Sequence, residues 1–222
     1  MLRRVIHAAL ERKLNRAYED RLAALGPVPK GVFWRNQSTQ IARFDALLNL
    51  VTKVTPIANP TLGDVGCGYG AMLDFIQKTS RYQHLNYIGI DINRKMINSC
   101  KREFPDHKNM FFVGKSPQST VDFCVFSGTF NLCHTNNTTL WLDYIFANLH
   151  RCWQRSRYGL VLNLLCGHKA EVKNQIFYAD RQTFITAASR VFGPIHARST
   201  PHVAGDVTFL VAKQKARVIE TR

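Results

Sequence analysis

The sequence predicts an α/β protein: a mostly parallel, seven-stranded sheet sandwiched between helices, closed by an antiparallel C-terminal hairpin and preceded by a helical extension. Three observations predict it. Short β-type runs alternate with helical segments from residue 61 onward. The first of these runs passes into a helix through a glycine-rich turn. The last two runs are joined by a short turn containing Gly205-Asp206, the signature of a hairpin.

In chain order, residues 2–25 come first. Leu2, Val5, Ile6, Ala9, Leu10, Leu14 and Ala17 recur at three- and four-residue spacing, one face of a helix. Arg3, Arg4, Arg12, Lys13 and Arg16 fill much of the rest, so the helix is expected to pack on the core or on a second copy of the chain in a homodimer. Gly26-Pro27 and Pro29-Lys30-Gly31 break it. A second helix starts near Ser38, with Ile41, Phe44, Leu47, Leu48 and Val51 as its apolar stripe and Pro56 beyond its end. The expected organisation is an extension over residues 1–37 and one domain over residues 38–222. Within that domain the β-type runs cover residues 61–65, 87–91, 110–113, 121–126 and 158–165. Helices fill 71–79, 93–104 with Asn93 as N-cap, and 138–153, and another follows Asp180. Residues 194–200 and 207–213 form the closing hairpin.

The chain has 222 residues, a size for one α/β domain. Hydrophobic residues make up 45% and charged residues 20%, which excludes a largely disordered chain. No uncharged apolar run approaches the roughly 20 residues of a membrane span, so no stable membrane insertion is expected. Glu11, Arg12 and Lys13 interrupt the N-terminus where a secretory signal needs an apolar stretch, and a cytoplasmic protein is expected. No two of Cys67, Cys100, Cys124, Cys133, Cys152 and Cys166 have zinc-type spacing, and no metal is expected.

The net charge of +15 attracts anions. Residues 1–35 carry eight Lys or Arg against three acids, and residues 181–222 carry seven against two, so the excess sits largely at the two ends. This distribution fits a solvated basic face, an RNA partner or an amphipathic first helix resting on anionic membrane, and the charge also suits an anionic small-molecule acceptor. It names none of them.

The turn Asp64-Val65-Gly66-Cys67-Gly68-Tyr69-Gly70 is the informative segment. Glycines there let a ligand approach the backbone, and the first βα turn of a doubly wound sheet is where nucleotide-like cofactors dock. Asp91 ends the next strand, where a carboxylate accepts both hydroxyls of a ribose. By glycine spacing alone, Gly66, Gly68 and Ala71 also fit a dinucleotide fingerprint. Asp64 separates the two ligands. An acidic side chain faces a pyrophosphate unfavourably but stabilises the ammonium and sulfonium of S-adenosylmethionine.

With Gly89-Ile90-Asp91, this turn resembles the first two motifs of the class I, Rossmann-like S-adenosylmethionine-dependent methyltransferases. The resemblance covers roughly residues 38–213. It implies that Asp64, Gly66, Cys67 and Gly68 line the methionine end, that Asp91 holds the ribose and that Ile92 flanks the adenine. Two later positions depart from the commoner pattern. After the third strand the acidic residue that accepts the adenine amine is replaced by Lys115-Ser116, which leaves Ser116 or a backbone group for that task. After the fourth strand, Ser127-Gly128-Thr129-Phe130-Asn131 replaces the Pro-Pro-aromatic motif of enzymes that methylate nucleobase amines. Ser127 and Gly128 are expected at the donor site; by the same resemblance Trp34, before the first motif, covers the site, and Arg35 or Arg43 binds a carboxylate of donor or acceptor.

His134 and His168, after the fourth and fifth strands, are the candidate bases. Tyr178, before the last helix, is the remaining catalytic candidate. The expected function is methyl transfer to oxygen or nitrogen of a small-molecule acceptor. The alternatives are an RNA acceptor and a catalytically inactive binding subunit.

Overall fold

The computed structural model describes residues 2–213. Lys215, Arg217 and Arg222 of the basic C-terminal segment lie outside the described residues. Helix α1 (Leu2–Leu25) and α2 (Gln37–Val54) precede the alternating part. Strand β1 (Thr61–Val65) leads to α3 (Ala71–Lys78), β2 (Asn86–Asp91) to α4 (Arg94–Glu103), and β3 (Phe111–Val113) directly to β4 (Val121–Phe126). Helix α5 (Thr138–Arg155) runs into β5 (Ser156–Gly167). Then come β6 (Glu171–Lys173), β7 (Ile176–Asp180), α6 (Arg181–Phe192), β8 (Ile195–Ser199) and β9 (Asp206–Ala212).

The expected seven-stranded sheet is present in the order β3-β2-β1-β4-β5-β9-β8, parallel from β3 to β5. It ends in the antiparallel pairs β5–β9 and β9–β8. Central β4 is buried at every position, as a strand covered on both faces must be. One core layer packs residues of α5 and α6 with Leu10 and Leu14 of α1. The other packs residues of α2, α3 and α4. The result is three layers.

Local chemistry sets the helix ends. Asn36 accepts the Thr39 amide and starts α2 one residue earlier than expected. Asn93 caps α4 and Asp180 caps α6, its carboxylate accepting the Thr183 amide at 2.6 Å. Such caps are worth about 0.5–2 kcal/mol each.

Two features differ from the sequence reading. Strands β6 and β7 form a short ribbon that the alternation pattern does not reveal. It joins the far end of β5 through Cys166 and Gly167, beyond the residues that β4 pairs. Their three- and five-residue lengths leave too little periodicity to detect. The apolar stripe of α1 is buried only in part: Leu10 and Leu14 are in the core, whereas Leu2 and Val5 are exposed. No helix among the described residues is long and apolar enough to cross a membrane.

Candidate active site

Sheet order reverses between β1 and β4, and the crevice outside the carboxyl ends of their strands is where a doubly wound sheet binds ligands. The turn after β1 is built around backbone that only glycine adopts easily. Gly66 has φ +83°, and a Cβ placed there meets the Thr129 side chain at 2.6 Å. Thr129 is fixed in turn by its hydroxyl, which donates to the Val65 carbonyl at 2.8 Å.

A cavity fills this crevice. Asp64, Gly66, Cys67 and Gly68 form its floor. Asp91, Ile92, Gly114 and Lys115 form the side at the ends of β2 and β3. Ser127, Gly128 and Thr129 close the side at the end of β4, and Trp34, Gln40 and Phe44 cover the front. Leu14, Asn15 and Tyr18 of α1 form the roof.

Helix α1 is held there at intervals along its length. Arg3 and His7 both bond Asp143 of α5. Glu11 pairs with Lys115 at 2.6 Å. The side-chain amide of Asn93 donates to the Asn15 carbonyl at 3.2 Å, and Glu19 pairs with Lys95 at 2.8 Å. The helix therefore crosses α5, the turn after β3 and the start of α4.

The cavity electrostatics are acidic. Burial pushes the Asp64 carboxyl up to about 7, against the Tyr87 hydroxyl that donates to it at 2.7 Å. Burial pushes Asp91 up to about 6, opposed by the amides of Asn93, Gly68 and Ile92. The first three amides of the turn are already committed. Those of Gly66 and Cys67 donate to the Ile90 carbonyl at 2.7 and 3.1 Å, and that of Gly68 to Asp91 at 2.9 Å. A pyrophosphate seated on this turn would meet two carboxylates, Asp64 and Asp91. Lys115, the cation in the lining, is paired with Glu11. A ligand with a ribose and a positive end fits these groups.

Of the residues singled out from the sequence, Asp64, Gly66, Cys67, Gly68, Asp91, Ile92, Ser127, Gly128 and Trp34 all line this cavity. Ser127 Oγ is buried without a partner. Trp34 lies against Gly128, with the Arg43 guanidinium 4.8 Å above its ring. Arg43 itself is off the cavity wall: it is committed to buried Asp206 at 2.8 Å. Ser116 also stands off the wall, where Gly114 and Lys115 take the positions.

His134, His168 and Tyr178 do not line the cavity. The segment carrying His134 is drawn to the β6–β7 ribbon, where the Cys133 amide donates to Gln175 and the Phe177 amide to Asn131. Burial, with Lys13 nearby, pushes the His134 imidazole below its ordinary value, and its Nε2 is buried without a partner. His168 lies in a separate cleft with Cys166, Arg181 and His202. Tyr178 is in β7 opposite Glu171.

Sequence reading missed the α1 residues of the cavity. A signal was present: Asn15 flanks the stripe made by Leu10, Leu14 and Ala17, Tyr18 continues it with a polar hydroxyl, and polar groups beside a buried face have a partner or a ligand.

Residues 63–156 match the model of a family described as a methyltransferase domain. The chain is 27% identical over 165 residues to a putative methyltransferase of Mycobacterium tuberculosis, covering 72% of this chain and 98% of that one. Among solved structures it is similar in fold to a methyltransferase of Leishmania major, with TM-score 0.61 and 12% identity over 88% of this chain and 82% of that one. It is also similar in fold to magnesium protoporphyrin IX methyltransferase of Synechocystis, with TM-score 0.55 and 15% identity over 81% and 80% of the two chains.

Proposed function

We propose that this chain, a class I S-adenosylmethionine-dependent methyltransferase, transfers the methyl group to oxygen or nitrogen of a small-molecule acceptor. The observation that carries the small-acceptor reading is the roof. Leu14, Asn15 and Tyr18 of α1 and Trp34 all line the crevice, so elements outside the sheet cover part of it, which favours a small acceptor over a nucleic-acid strand.

The donor, when bound, supplies an electrophilic methyl on a sulfonium. The residues of this chain position it and stabilise its charge. Asp91 accepts the ribose hydroxyls. Asp64, with a proton to lose near neutral pH, compensates the positive methionine end. Gly66, Cys67 and Gly68 let the donor lie against the backbone, Ile92 packs on the base, and Ser127 and Gly128 meet the donor at the β4 end. Trp34 shields the sulfonium from water.

No histidine lines the cavity among the described residues. Catalysis in this reading therefore rests chiefly on in-line positioning of the acceptor: its lone pair forms the new bond to the methyl carbon as the carbon–sulfur bond breaks, and the methylated oxygen or nitrogen gives its proton to solvent.

The test is purified protein with radiolabelled donor, offered separately a metabolite extract and total cellular RNA. Label in the small-molecule fraction is expected. Label in RNA alone overturns the acceptor class and gives the net charge of +15 a role. Donor binding with no label in either fraction identifies a binding subunit.

A further inference from the structure

The ends of β2 and β3 leave an adenine base without an obvious hydrogen-bond acceptor. Ile92 and Gly114 offer apolar surface there, and Lys115 is a donor occupied by Glu11. An adenine edge presents an amine donor beside a ring-nitrogen acceptor, and a side-chain amide is the group whose geometry matches both. Three amide side chains line the cavity: Asn15, Gln40 and Asn148. The Gln40 oxygen accepts from the Tyr69 hydroxyl at 2.9 Å, and the Asn148 oxygen from Arg151 at 3.1 Å. The Asn15 oxygen is buried with no partner.

Asn15 is also in the right place along α1. One turn toward the C-terminus, Tyr18 is close enough to Asp91 for the carboxylate charge to act on its hydroxyl. One turn toward the N-terminus, Glu11 holds Lys115 after β3. Asn15 thus falls between the carboxylate at the end of β2 and the turn after β3, which is where a base attached to an Asp91-bound ribose comes to rest. Its carbonyl is tied to Asn93 at 3.2 Å, which fixes the helix register at this residue.

We infer that the side-chain amide of Asn15 accepts the exocyclic amine of the donor's adenine, so that α1 supplies a base-recognition contact of the donor site. The inference rests on the donor assignment of the preceding subsection. It also explains how the chain dispenses with an acidic residue after β3. A buried acceptor left without a partner is costly, and the adenine amine removes that cost on binding.

The experiment is a thermodynamic cycle on the full chain. Calorimetry measures binding of S-adenosylhomocysteine and of its analogue lacking the 6-amino group, for wild type, Asn15→Leu, Asn15→Ala and Asn15→Asp. The wild type is expected to lose about tenfold in affinity when the amine is removed, the scale of one buried hydrogen bond. Asn15→Leu and Asn15→Ala bind S-adenosylhomocysteine about tenfold more weakly and lose little more with the analogue. Asn15→Asp, which keeps an acceptor, retains the preference for the amine.

If the Leu and Ala variants discriminate against the analogue as strongly as wild type, the amine is read elsewhere and the inference is overturned. Thermal melting identifies a variant that does not fold, and the smaller Ala change then supplies the cycle. Wild type that binds neither compound overturns the donor assignment itself, a different outcome from loss of coupling at Asn15.

Discussion

The carboxylate of Asp91 accepts the Gly68 amide at 2.9 Å, so the residue that ends β2 also holds the glycine turn after β1. Its other oxygen accepts the Asn93 amide at 2.8 Å, which ties the start of α4 to the same group. A single side chain thus joins the turns after β1 and β2, both of which line the cavity.

Replacing Asp91 by Ala removes these bonds together with the proposed ribose contacts. Affinity for S-adenosylhomocysteine should fall by at least about tenfold, since hydrogen bonds to a charged group are worth about 1.5–3 kcal/mol. Calorimetry measures it, and unchanged affinity would show that the ribose lies elsewhere.

Gly66→Ala forces a side chain into left-handed backbone at φ +83° and against Thr129. The conformational part alone costs about 1–2 kcal/mol. Lower thermal stability and weaker donor binding are expected together, because the same turn forms the cavity floor. Urea titration and calorimetry on one preparation read both.

The buried carboxylates set a pH dependence. Asp64 rises to about 7 and Asp91 to about 6, both from an ordinary value of 3.8. Between that value and their folded values the folded chain holds protons that the unfolded chain has released. Their contribution to stability is therefore fully present below the ordinary value and is lost as pH rises through about 6 and 7. A positively charged donor favours the ionised carboxylates, so the increase in melting temperature that it produces should grow over the same window. Asp64→Asn should flatten that growth. Tyr87→Phe, which removes the hydroxyl that favours the carboxylate, should move it to higher pH. A donor effect independent of pH in wild type contradicts the assignment.

Arg43→Ala leaves Asp206 buried without its cation. Breaking such a pair costs about 3–5 kcal/mol. It also frees the Trp34 ring, which Arg43 covers at 4.8 Å. The expected result is a lower denaturation midpoint with a change in tryptophan fluorescence. A variant as stable as wild type would show that the ion pair is dispensable.

The sequence by itself determined the alternation of strands and helices, the antiparallel closing hairpin, the caps at Asn93 and Asp180 and the two motifs that place Asp64 and Asp91 at the cavity. Those signals are local, because periodicity, cap chemistry and turn glycines act within a few residues. Only the tertiary structure decided that α1 is the roof of the site, since Glu11 meets Lys115 across 104 residues of chain. It decided equally that His134 is drawn toward the β6–β7 ribbon and that Arg43 serves Asp206 rather than a ligand. The reason in each case is the same: which side chains share one cavity depends on contacts between distant elements, and a sequence pattern records the buried face of an element without recording what it is buried against.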